Sequence, residues 1–227
     1  MKRSQLFVAL LALSSVASAA GHDGPGRDID KVNGSITASA GEAYGDLSTV
    51  NGGIHLERGA RVGDVETVNG GIEAADDVGA RSVSTVNGAI RFGKQARIDG
   101  DVETVNGGIF IDRGGNVRDD VSTVNGAIGL VDTDLGGGIE TVNGDVTVGV
   151  GSHVKGGIHV EKPSGNGMQW GKQRIPRIVI GPNAVVDGPL VFERDVVLYV
   201  HNTARTGSVR GATPPSYSTP PPPHARP

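Results

Sequence analysis

The tripeptide Val-Asn-Gly occurs seven times, beginning at Val32, Val50, Val68, Val86, Val105, Val124 and Val142. The steps are 18, 18, 18, 19, 19 and 18 residues. A period this short leaves few folds open. Helical repeats need about 33 residues or more, and a propeller blade needs about 40. Leucine-rich repeats carry a leucine consensus that is absent. One turn of a β-solenoid fits: three short strands joined by three corners. The expected fold is therefore all-β, a single-stranded parallel β-helix of about 18 residues per coil. The general preference for right-handed crossovers favours a right-handed coil.

The apolar pattern agrees with this reading. Val50, Leu56, Val62 and Val68 fall six residues apart, and Ile54 and Leu56 alternate around His55 as in a strand with one buried face. Stacked coils place equivalent residues in columns about 4.8 Å apart. Asn33, Asn51, Asn69, Asn87, Asn106, Asn125 and Asn143 form one such column, and their amides suit an asparagine ladder. The expectation is that the valine of the motif points inward, and that Gly supplies a left-handed corner after Asn. Two residues before the valine, Ser48, Glu66, Ser84, Glu103, Ser122 and Glu140 alternate serine with glutamate. That spacing keeps like charges from lying directly opposite on neighbouring strands.

Composition supports a thin, turn-rich core. The 227-residue chain has 37 glycines, no cysteine and 4% aromatic residues. Residues 1–20 read as a signal peptide: Lys2 and Arg3, an apolar run from Leu6 to Leu13, and Ala17-Ser18-Ala19 for cleavage. The run is too short to span a bilayer of about 30 Å, and no later segment reaches that length. Residues 21–29 read as a flexible lead-in, 30–211 as the β-helix, and 212–227 as a proline-rich tail outside the ladder. Residues 161–177 break the period and read as a protruding loop. The expected location is periplasmic or extracellular. Charge is uneven: residues 21–150 carry 10 Lys+Arg against 21 Asp+Glu, and residues 151–227 carry 9 against 4.

No motif of established chemistry stands out. Asp64, Asp76, Asp77, Asp99, Asp101, Asp119 and Asp120 are the carboxylates available for glycosidic acid–base work. Most recur at turn positions, as expected of residues that serve the coil. The calcium-binding nonapeptide is missing, and the six histidines show no ligand spacing, so no cofactor or metal is expected. Phosphate-loop signatures are also missing, and nucleic acid is not an expected partner. Outward-facing Thr49 and Asn51 with their repeats would form a flat polar array of the ice-binding kind. In the loop, Met168, Trp170, Lys172, Arg174 and Arg177 combine an aromatic ring with basic groups, which suits an envelope glycan or other anionic surface.

The reiterated Thr-Val-Asn-Gly-Gly/Ala-Ile unit resembles the β-strand-repeat, adhesin-like proteins of bacterial envelopes. Residues 178–211 (IVIGPNAVVDGPLVFERDVVLYVHNTARTGSVRG) are similar to bactofilins, the polymer-forming cytoskeletal proteins. The resemblance implies a right-handed β-helix and end-to-end polymerisation without nucleotide. Bactofilins are cytoplasmic, whereas this chain starts with an export signal. The expected function is a non-enzymatic scaffold or adhesin of the envelope that self-associates end to end. The alternative is a carbohydrate-active β-helix enzyme or glycan-binding module.

Overall fold

A computed structural model describes residues 26–163, 174–212 and 216–217. The described residues contain strands and turns but no helix. Every strand pairing is parallel, and each strand pairs with its counterpart one coil away. Three sheets result. Face A has ten strands, from Arg27–Asn33 to Val209–Arg210, and includes the Val-Asn motif. Face B has ten, from Ile36–Ala38 to Ser216–Tyr217. Face C has seven two-residue strands, from Gly79–Ala80 to Arg205–Thr206, with Ala43 and Arg61 bridging ahead of them. The molecule is a β-solenoid of about nine coils, roughly 43 Å along its axis at the usual strand spacing.

Each coil aims about six side chains inward. In the coil of the second and third motifs these are Ile54, Leu56, Ala60, Val62, Val65 and Thr67, all 9% exposed or less. The Val65–Asn69 strand shows why. Val65 and Thr67 are buried, and Glu66 and Val68 face out. The motif valine therefore points outward, contrary to expectation. Val50, Val68, Val86, Val105 and Val124 are half-buried on the outer surface, Val32 is 60% exposed, and Val142, outside the core cluster, is covered to 6% exposure. Alternation along a strand forces this: residues two apart share a face, so an inward valine would bury the Glu/Ser column.

Threonine fills the inward place instead. Thr49, Thr67, Thr85, Thr104, Thr123 and Thr141 are at most 4% exposed. A buried hydroxyl needs a partner. The Thr67 and Thr85 Oγ1 groups donate to the carbonyls of Gly52 and Gly70, both at 2.9 Å, and Thr49, Thr104 and Thr123 repeat the bond one coil at a time. The flat Thr–Asn array is thus not presented to solvent.

In most copies of the motif, glycine has a different task from the one expected. Gly34, with φ 104°, takes the left-handed corner, but Gly52, Gly70, Gly88, Gly107 and Gly144 are outside the left-handed region. Their need is close approach. A Cβ on Gly70 or Gly88 would lie 2.0 Å from the glycine carbonyl oxygen below it. The left-handed corner sits elsewhere, between faces B and C. Gly41, Gly59, Asp77, Gln95, Gly114, Asp132, Gly151 and Asn183 hold it, one per coil, with φ from 45° to 74°.

Three boundaries shift. Face A begins at Arg27, inside the stretch expected to be loose, with a register irregularity between Arg27 and Ile29. Arg177, expected in the loop, opens the strand Arg177–Ile180 and pairs with Val197. In the tail, Ser216 and Tyr217 pair with Val200 and His201, extending face B. Neither is proline, so both have the N–H a ladder uses.

Candidate functional site

Two surfaces separate this solenoid from a plain repeat: the outer side of face A, and the base of the insertion between Val160 and Arg177. Along face A the asparagines form a continuous ladder. Nδ2 of Asn51 donates to Oδ1 of Asn33 at 3.1 Å, and Asn69, Asn87, Asn106, Asn125 and Asn143 each donate to the one below at 3.0 Å. The last acceptor is not left to water. Arg194 donates through Nη1 to Asn143 Oδ1 at 2.6 Å and to the Val142 carbonyl at 2.9 Å. Its Nη2 reaches the Arg174 carbonyl at 3.0 Å. One guanidinium therefore ends the ladder and holds the returning chain of the insertion.

Asp145 completes that anchorage. It accepts from the Arg174 guanidinium and, at 2.9 Å, from the Arg177 N–H. On the departing side, Glu193 accepts from the Lys162 N–H at 3.3 Å and pairs with His159 Nε2 at 3.1 Å. These hydrogen bonds favour the carboxylate and hold the Glu193 pKa below its ordinary value. Of the five loop residues proposed from the sequence, Arg174 and Arg177 are thus engaged in the scaffold. Met168, Trp170 and Lys172 lie outside the described residues. Arg194, Asp145 and Glu193 were missed. Only Asp145 left a trace, as an acid in a column otherwise made of Ser35, Gly53, Gly71, Ala89, Gly108 and Ala127.

Of the candidate catalytic carboxylates, Asp76 accepts from the Lys94 N–H, Asp101 from the Asp120 N–H and Asp120 from the Gly138 N–H, bonds that serve the coil. Asp46, one coil earlier, does the same for the Asp64 N–H. Arg81 forks onto Asp64 and also meets Asp46, which raises the arginine pKa through its hydrogen bond to Asp64. Glu66 and Glu103 behave differently. Burial against the face, then neighbouring acids, raises the pKa of both, and burial likewise raises Asp101. The acids beside Glu66 are Asp64 and Asp46, and those beside Glu103 are Asp101, Asp120 and Glu140.

Among the described residues the histidines are engaged one at a time: His55 with Glu73, His153 with Asp187, His159 with Glu193 and His201 with Thr203. Among the described residues no three metal-type side chains converge, and no helix is long and apolar enough to cross a membrane. A shallow groove of about 410 Å³ runs over the corner between faces C and A. Gly137, Gly138, Gly156 and Gly157 floor it, and Asp120, Glu140 and His159 line it.

Comparison with known proteins returned no matching family model, no matching curated protein and no matching solved structure. The reading of function therefore rests on this geometry and on the sequence.

Proposed function

We propose that this chain is an exported, non-enzymatic structural rod of the cell envelope, acting as a scaffold or adhesin-like element. The observation that carries the reading is the fate of the carboxylates. Asp28, Asp46, Asp76, Asp101, Asp120 and Asp145 each accept a backbone N–H from a following coil. An acid spent on holding the next coil is a poor proton shuttle, because its hydrogen-bonding geometry is already committed. The apolar leader at residues 6–13 supports export, and the repeat supports a rod. Fractionation of cells making a C-terminally tagged chain tests both parts. The expected product is periplasmic or extracellular, with an N-terminus near Ala20 and no turnover on a polysaccharide panel. Retention of the leader in a cytoplasmic product would sink the reading.

A carbohydrate-active role is the second reading, favoured by the groove that Asp120, Glu140 and His159 line. Turnover of a polyanionic glycan that Glu140→Gln abolishes would establish it.

A further inference from the structure

The octapeptide Val-Ser-Thr-Val-Asn-Gly-Ala-Ile occurs twice, at 83–90 and at 121–128. Both copies run along face A into its corner, with the asparagine exposed, the glycine half-buried and the isoleucine buried. One difference at the corner separates them. The Gly88 N–H donates to the Asn106 carbonyl of the next coil at 3.2 Å, whereas the Gly126 N–H donates to nothing among the described residues. Gly34, Gly52, Gly70 and Gly107 make the same bond as Gly88, at 2.9 to 3.1 Å. Gly144, which is buried, donates to Thr141 Oγ1 at 3.0 Å.

Gly126 is left over because the coil that follows it changes course. Val121–Asn125 pairs with the shorter strand Ile139–Thr141, and the register between them ends at Thr123 and Thr141. Val142 turns in to 6% exposure, and Arg194 takes its carbonyl and the Asn143 Oδ1. The Asn143 carbonyl therefore does not receive the Gly126 N–H.

A free N–H at this place has a chemical consequence. Glycine has no side chain to hinder its nitrogen, so after asparagine that nitrogen can attack the side-chain amide carbon. Hydroxide takes the N–H proton, the bond from nitrogen to Cγ forms, the Cγ–Nδ2 bond breaks, and ammonia leaves with a proton from water. Water then opens the cyclic imide to aspartate or isoaspartate. Water is consumed and ammonia released in equal amounts, with no oxidant or reductant. A hydrogen-bonded N–H is shielded from the base until its coil opens locally. The amide under attack is held alike in both copies: Oδ1 of Asn125 accepts from Asn143 and Oδ1 of Asn87 from Asn106, each at 3.0 Å.

We propose that Asn125 is a self-modification site of the rod, converting to aspartate and isoaspartate ahead of Asn51, Asn69, Asn87 and Asn106. The product carboxylate still accepts from Asn143 but has no hydrogen to give to Asn106 Oδ1. Isoaspartate also adds a methylene to the main chain. The change detaches the coils of Asn125 and Asn143, and the Arg194 clamp with them, from the ladder below. The site is independent of whether the rod is a scaffold or an enzyme.

The two identical octapeptides make the test internal. The purified full chain is incubated in mildly alkaline buffer, digested at acid pH and mapped by mass spectrometry. Conversion at Asn125 should be about three- to tenfold faster than at Asn87, the ratio that one net hydrogen bond supplies. Asn51, Asn69 and Asn106 should follow Asn87. In urea the two octapeptides should convert at the same rate, since the fold and not the local sequence sets the difference. Amide exchange checks the cause, and Gly126 should exchange faster than Gly88. Equal conversion at Asn87 and Asn125 in the folded chain, a difference that persists in urea, or a Gly126 amide as protected as that of Gly88 overturns the proposal.

Discussion

At the scale of single residues, the motif divides its labour by strand parity and by contact distance. Glycine is there because a carbonyl passes within 2.0 Å of where a side chain would start. Gly88→Ala must therefore shift backbone, and it should cost about 2–4 kcal/mol in chemical denaturation. Asn87→Ala removes two ladder bonds at an exposed position. Such bonds are worth about 0.5–1.5 kcal/mol each net, so a loss of about 1–3 kcal/mol is expected, toward the lower end at this exposed position and below that of Gly88→Ala. The reverse ranking would mean the amides, and not the glycine stack, hold the corner. The column of asparagines was legible in the sequence because its spacing and its chemistry agree. The direction of the valine does not follow from its six-residue spacing, because alternation along the strand decides it. Val68 and Glu66 must share a face, and Val65 and Thr67 the other. Threonine's β-branched, strand-favouring shape let it pass as a surface residue, although its hydroxyl finds a carbonyl inside.

At the scale of elements, face A and the insertion's base respond to pH in opposite directions. Glu66 and Glu103 have pKa values raised by burial. The folded state binds their protons more tightly than the unfolded chain, so their contribution is favourable below the ordinary glutamate pKa and is lost as pH rises through the folded value. Glu66→Gln with Glu103→Gln should raise the melting temperature at pH 7 by about 1–4 °C and by less at pH 4. Glu193 has a lowered pKa. Its contribution is present above the ordinary glutamate pKa and fades as pH falls through the folded value. Glu193→Gln should expose the chain near Lys162 to limited proteolysis at pH 7, with little further effect at pH 3. Equal proteolysis of the variant and the parent at pH 7 would show that Glu193 does not clamp the insertion. The period itself announced where the insertion falls, between Val160 and Arg177. Its anchors were not legible, since Arg194 and Asp145 lie 49 residues apart in sequence and meet this region only through stacking.

For the whole molecule, the contacts run almost entirely between neighbouring coils. Stability in such a stack is a sum of coil and interface terms, and terminal coils have one neighbour fewer. Amide exchange should be slowest in the coils containing Val83–Asn87 and Val102–Asn106 and fastest near Arg27–Asn33 and Val209–Arg210. A flat profile would point to all-or-none opening of the rod. Coil number and sheet count followed from the period because each coil repeats one local solution. The behaviour of the two ends did not follow, since residues there have no repeat to be compared with. The extra strand at Ser216–Tyr217 is the clearest case.

The asparagine ladder has a direction. Each amide hands its hydrogen to the one below, so the column ends in a spare donor at Asn33 and a spare acceptor at Asn143, where Arg194 sits. A coil lacking asparagine, placed in the middle, would cut this into two columns with two new unfinished ends. A coil that carries one lengthens the column and leaves both ends as they were. Whole repeats are therefore the natural unit by which such a rod changes length. Duplicating residues 69–86, one 18-residue step of the ladder, should yield a folded protein about 4.8 Å longer, its melting temperature no lower than that of the parent.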